Sequence, residues 1–441
     1  MRFFPEEPQL MQEDFLYYIW KLQYFDKKDL TTCQGESISV FRPGTRNDHA
    51  GPDFLNGKVT ISNVTWHGHI EMHINASDWY AHQHQKDGAY DNVILHVVWN
   101  HDKDVQQHDG TLMPTLVLKD RVEPGLYQQY QRLVQNKATV PCAKQLPQVA
   151  SLVKASMLDK ALFQRLTHKN NLVYRLLGDN KGDWEETAYQ LLAYNFGFKV
   201  NSNSFLALAL RLPLKVVAKH ADHLLAIEAL LLGQAGLLVA KVQGQDEDYL
   251  QALQQEHSHL ARKYQLPTGM LHKSQWKFFR LRPANFPTIR MAQFAQLLHQ
   301  NPGIFTLLVN TPTETLRKQL AVVQSAYWQA HYQFGKPSKT TIPGLGKASI
   351  ESILINTVVP LLVAYGKAKD EQNYVDRAVA ILQHLPAEHN AITRQWEALG
   401  IQVQTSFDSQ ALIELFNNFC AQKKCLSCDI GVEIIQKGKR A

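Results

Sequence analysis

The chain has 441 residues, 45% of them hydrophobic and 20% charged, and a net charge of +6 with histidine neutral. That balance excludes a disordered or collagen-like chain, and the small basic excess neither demands nor opposes a nucleic-acid partner. No run reaches the roughly 18 consecutive apolar residues of a membrane span. The start, MRFFPEEPQL, has no apolar signal region, and five cysteines are too few and odd in number for a disulfide framework. The expectation is a soluble, cytoplasmic protein without a membrane partner.

The first predicted element is a helix over Glu13 to Tyr24, where Phe15, Ile19 and Leu22 recur at helical spacing. Ser37 to Phe41 reads as a short strand closed by Pro43-Gly44, and Phe54 to Ser62 as a second strand. In the third strand, Val64 to Ile74, alternation sends Ile70, Met72 and Ile74 to one face and His69, Glu71 and His73 to the other. Ser77 to Gln85 reads as a short helix capped by Ser77 or Asp78. Asn92 to Trp99 is apolar on both faces, as a central strand should be. Leu112 to Leu118 reads as a further strand. Beyond Pro124 helical spacing dominates, and the most apolar region, Ala221 to Val242, reads as a buried core helix. The predicted fold is α+β: an α/β core of order α-β-β-β-α-β over residues 1–122, a helical domain over 123–300, and a helical C-terminal region with a cysteine cluster over 301–441.

The chemistry candidates lie in Gly51 to Phe54 and Gly68 to His73. An acidic residue at a strand start and another on the neighbouring strand can converge on a hard cation such as Mg²⁺ or Mn²⁺, which activates water and neutralises charge on a phosphate. Glu71 and His73, two apart on a strand, share a face at about 7 Å.

This arrangement resembles the PD-(D/E)XK nuclease superfamily over roughly residues 10 to 120. Pro52-Asp53 matches its PD element, Glu71-Met72-His73 its (D/E)-X-K element, and Glu13 the acidic residue that many members carry on the first helix. His73 stands where the superfamily usually has lysine. The resemblance implies a metal-dependent nuclease acting on DNA or RNA through Asp53 and Glu71. The alternative is a non-catalytic nucleic-acid-binding or assembly protein that keeps the fold. Nearly the whole chain also resembles an uncharacterised bacterial family defined only as a domain of unknown function. That likeness rests on GPDF, the stretch Ile70 to Trp99, Ala229 to Leu238, Phe278 to Arg290 and the CLSCDIG of Cys425 to Gly431.

Six histidines, His67, His69, His73, His82, His84 and His96, crowd this region. Spacing argues against a histidine-bound zinc. His69 and His73 lie about 13 Å apart along a strand, and His82 and His84, two apart on a helix, point in different directions. His96 reads as a core histidine.

Farther along, Arg280, Arg282 and Arg290 alternate with Phe278, Phe279 and Phe286. Guanidinium forks suit phosphate and rings offer stacking surfaces, so these arginines are candidates for nucleic-acid binding or for pairing with acidic residues. Cys420, Cys425 and Cys428 form C-x4-C-x2-C, a spacing suited to Zn²⁺ or an iron–sulfur cluster once a fourth ligand joins. Some PD-(D/E)XK nucleases hold such a cluster with one cysteine before the core and three near the end. That resemblance makes Cys33 the candidate fourth ligand, with Cys142 the other choice.

Overall fold

A computed structural model describes residues 12–239, 243–267 and 271–437. The MRFFPEEPQL start, the end of the expected apolar helix at 240–242, and the tail at 438–441 lie outside the described residues. The chain divides into two compact units: Met1–Asp159 with Leu415–Ala441, and Lys160–Glu414. The segment Leu415–Ala441 groups with the first unit although it follows the second in sequence. There the last helix, Asp429–Lys437, packs on the helix Pro124–Gln135, and Gln436 Nε2 donates to Tyr24 Oη at 2.6 Å.

The fold is α+β, with a sheet in the first unit and mostly helices elsewhere. Helix α1, Glu13–Leu22, buries Phe15, Leu16, Ile19 and Trp20. Strands β1, Ile38–Arg42, β2, Thr45–Arg46, β3, Phe54–Ile61, and β4, Val64–Asn75, follow. Then come helix α2, Asp78–Ala81, strand β5, Val93–Asn100, and strand β6, Thr115–Val117. The strand order is β1-β3-β4-β5-β6, with β2 on the start of β3. β1, β3 and β4 are antiparallel, whereas β5 runs parallel to β4 and β6 parallel to β5.

Local sequence explains this layout. β3 and β4 are joined by Ser62-Asn63, both with positive φ, the conformation that a two-residue hairpin turn needs. On β5, Leu95, Val97 and Val98 are fully buried, each worth about 1.5–3 kcal/mol. Trp99 reaches Phe15 of α1, while His96 and Val98 pack beside Trp79 of α2. β6 is shorter than expected because Pro114, with no N–H, precedes it.

The second unit is helical apart from a small antiparallel pair, His331–Gln333 with Lys336–Pro337. Its apolar core helix runs over Leu224–Gln234. Among the described residues one helical stretch, Lys347–Lys369, is long and apolar enough to cross a membrane, and 67% of its most apolar window is buried within the protein.

Candidate functional site

Asp53 sits at the end of a loop held by Asn47. That residue's N–H donates to Asp53 O at 2.8 Å, and its Nδ2 donates to Pro52 O at 3.0 Å. Gly51, at φ +102, makes a turn that L side chains rarely adopt. β3 and β4 pair as far as Phe54 and Ile70. Beyond that point side chains replace the ladder: Met72 N–H donates to Asp53 Oδ2 at 3.1 Å, and Asp53 N–H donates to Glu71 Oε2 at 3.0 Å. Arg46 Nη1 pairs with Asp53 Oδ1 at 2.7 Å while its guanidinium lies 3.8 Å over the Tyr17 ring. Tyr17 Oη donates to Glu13 Oε2 at 3.2 Å, so Glu13 joins the group through Tyr17.

Glu71 is 5% exposed and His73 1%. Burial raises the pKa of both Asp53 and Glu71; hydrogen bonds from Arg46 and from His84 respectively oppose it. Burial raises Glu13 as well, with Tyr17 opposing.

Beside Glu71 the histidines converge. His73 Nδ1 lies 2.8 Å from His96 Nε2, and His73 Nε2 lies 3.1 Å from His82 Nδ1 and 3.6 Å from Glu71 Oε1. His84 Nε2 lies 3.3 Å from Glu71 Oε1. One ligand atom from each of His73, His82 and His84 falls within 4.8 Å of the others. The expectation that His82 and His84 point apart is therefore corrected. Helix α2 ends at Ala81, Gln83 takes left-handed backbone angles of φ 61 and ψ 28, and this folds His84 back toward His82. Tyr90 stacks on His84 at 3.8 Å. Ser77 stands at the expected N-cap position but makes no side-chain cap bond; its hydroxyl donates to Asp102 Oδ2 at 2.6 Å. Burial drives His73 down to about 2 and His96 down to about 3, with neighbouring imidazoles adding to the shift. Both are therefore neutral near pH 7. His67 is exposed and His69, half-buried, receives only a distant Asn56 N–H at 3.4 Å.

In the second unit Arg280 and Arg282 are exposed, next to Phe279 at 82% exposure. Arg290 is buried: Nη1 donates to Gln293 Oε1 at 2.9 Å, and Nη2 donates to Asn285 Oδ1 at 2.6 Å and Ser349 Oγ at 3.0 Å. It lies against Phe198 and lines a cavity of about 420 Å³. Farther along, a helix begins at Lys347, after a loop up to Gly346.

Cys142, Cys420, Cys425 and Cys428 are all buried and line one small cavity. Cys33 is not among them; it is exposed, its N–H bonded to Thr115 O at 2.8 Å. Gly431 permits the close turn here, since a Cβ would stand 2.2 Å from Cys425 O. Burial pushes the Cys142 and Cys425 thiols up to about 12, and the neighbouring sulfurs add to this.

Sequence reasoning missed Arg46 as the partner of Asp53 and the joining of His82 with His84. For Arg46 the Thr45-Arg46 pair after Pro43-Gly44 was an available signal, because a turn there lays Arg46 beside the next strand.

Taken with the sheet, these groups define an α+β protein with a buried carboxylate–imidazole cluster beside its central parallel strand pair. The chain belongs to the family described as "Protein of unknown function (DUF2851)", whose model matches residues 13–391. No curated protein and no solved structure matches it.

Proposed function

We propose that the protein is a metal-dependent phosphodiester hydrolase acting on nucleic acid, built on a PD-(D/E)XK-like core. The observation that carries this reading is the exchange between Asp53 and Glu71, which places both carboxylates at the point where the β3–β4 ladder ends. The order α1, an antiparallel meander ending in β4, α2, and β5 parallel to β4 agrees with it. A divalent cation such as Mg²⁺ or Mn²⁺ would supply water activation and charge neutralisation at the phosphate. Glu71 would hold it, with Asp53 alongside. Arg46 screens the charge of Asp53, and His73, neutral through burial, can hydrogen-bond a water but supplies no permanent charge. Arg280 and Arg282, with the exposed Phe279 ring, would hold a polyanion by charge and stacking.

A second reading is a non-catalytic nucleic-acid-binding or assembly protein. It is favoured by the commitment of both Asp53 oxygens to Arg46 and Met72 and by the neutral imidazole where the superfamily has lysine. The C-terminal cysteines, in either reading, would hold Zn²⁺ or an iron–sulfur cluster through Cys142, Cys420, Cys425 and Cys428.

The test is cleavage of labelled single- and double-stranded DNA and RNA with Mg²⁺ or Mn²⁺, comparing the wild type with Glu71→Ala. We expect metal-dependent cleavage that falls by about 100-fold or more in the variant, the scale of losing a group that acts in the transition state. Absence of cleavage on every substrate, or equal cleavage by Glu71→Ala, overturns the hydrolase reading.

A further inference from the structure

We propose that His73, His82 and His84, together with Glu71, form a binding site for a divalent transition metal, zinc by preference. This goes beyond the preceding reading, with which it shares Glu71, and rests on that reading for its purpose but not for its geometry. Zinc bonds imidazole nitrogen at about 2.0–2.1 Å and carboxylate oxygen at about 2.0–2.2 Å, so tetrahedral ligand atoms stand roughly 3.3–3.5 Å from one another. The separations here are 3.1 Å between His73 Nε2 and His82 Nδ1, 3.6 Å between His73 Nε2 and Glu71 Oε1, and 3.3 Å between His84 Nε2 and Glu71 Oε1. These three are close to edges of such a tetrahedron, and the three imidazole ligand atoms all lie within 4.8 Å of one another.

The surroundings also suit an ion. His84 Nε2 is buried and faces Glu71 Oε1 at 3.3 Å; a metal between the two would use its lone pair. His96 Nε2, 2.8 Å from His73 Nδ1, fixes the ring whose other nitrogen faces the site, the outer support that metal-bound histidines usually have. The second oxygen of Glu71 is oriented by Asp53 N–H. His82 is exposed, which gives the ion a route in and leaves room for water or substrate. Three nitrogens and one oxygen favour zinc or cobalt over magnesium, which prefers oxygen ligands. The competing arrangement is a plain hydrogen-bonded imidazole chain, His96–His73–His82, which needs no ion.

The full-length protein, stripped with a chelator, is titrated with Zn²⁺ by calorimetry and with Co²⁺ by visible absorption. Wild type is compared with His82→Ala, His84→Ala and, as a control, His69→Ala, each checked for folding by thermal melting. We expect about one Zn²⁺ per chain and the strong visible bands of a four-coordinate Co²⁺ site. Affinity should fall at least about 10–100-fold in His82→Ala and in His84→Ala, no less than the loss of an outer-shell partner causes. His69→Ala should bind as wild type does. No zinc binding by the wild type, or equal binding by His82→Ala and His84→Ala while both remain folded, overturns the site. If zinc binds as expected but no metal supports cleavage of nucleic acid, the hydrolase reading fails and the site stands. If Mg²⁺ supports cleavage that depends on Glu71 while zinc does not bind, the site fails and the hydrolase reading stands.

Discussion

His96 has no exposed surface, and its Nδ1 has no hydrogen-bond partner among the described residues. Protonating it in place would bury a cation beside the His73 ring. In the unfolded chain it titrates near 6.5, whereas burial holds it down to about 3 in the folded protein. A depressed histidine contributes stability that is present above the unfolded value and is lost as pH falls toward the folded one. Each such group steepens the loss by up to about 1.4 kcal/mol per pH unit within that window. His73 acts in the same direction. The raised carboxylates Asp53 and Glu71 act oppositely, from their unfolded values of 3.8 and 4.5 up to their raised folded ones. We therefore expect denaturant unfolding of the wild type to show a clear loss of stability from pH 7 to pH 5, and His96→Gln to show a smaller one. An equal loss in both proteins would count against the neutral buried imidazole.

In the helix Leu224–Gln234 the one charged residue is Glu228, which is 2% exposed. Tyr249 Oη and Ser325 Oγ each donate to its carboxylate at 2.7 Å, and burial raises its pKa against those bonds. A raised carboxylate contributes stability that is full below the unfolded value near 4.5 and is lost as pH rises through the folded value. Glu228→Gln keeps the shape without the charge, and we expect it to change stability at pH 8 by less than about 1 kcal/mol. Glu228→Ala should cost about 2–4 kcal/mol, because two buried hydroxyls lose their acceptor and a cavity opens. A Glu228→Ala variant as stable as wild type in urea unfolding would refute this. At the scale of elements much was legible beforehand. α1 and β4 follow the spacing of Phe15 and Ile19 and the alternation through Ile70, Glu71 and Met72, both local patterns. The turn at Gln83 was not legible, because nothing local marks a glutamine for left-handed backbone; the packing of Tyr90 on His84 accompanies it. Hence the helical reading of Ser77 to Gln85 separated two histidines that the structure brings together. The burial of Arg290 was not legible for a related reason: its partner Ser349 is distant in sequence, and burial by distant residues leaves no periodic trace.

Across the whole molecule, Cys142 joins Cys420, Cys425 and Cys428 although some 280 residues lie between. The C-x4-C-x2-C spacing showed three of the four; the fourth depends on the return of the chain end, which no local pattern records. Anaerobically purified protein should carry about one zinc ion or one iron–sulfur cluster per chain, seen by elemental analysis and absorption, and Cys142→Ser should lose it and melt earlier. Protein free of both metals, with Cys142→Ser and Cys425→Ser melting as wild type does, would leave the four thiols as ordinary core packing. The division of the chain has a further consequence during synthesis. Residues 415–441 belong to the unit that residues 1–159 begin, so the ribosome makes some 250 residues of the other unit before the first can close. At about 5–20 residues per second that interval is roughly 13–50 s, long compared with the formation of a hairpin or a helix. The nascent sheet must wait with the docking surface of its closing helix uncovered, and a chain released early would carry a complete second unit beside an unfinished first. Premature termination would then leave a distinctive product, resistant to protease over 160–414 and cut within 1–159.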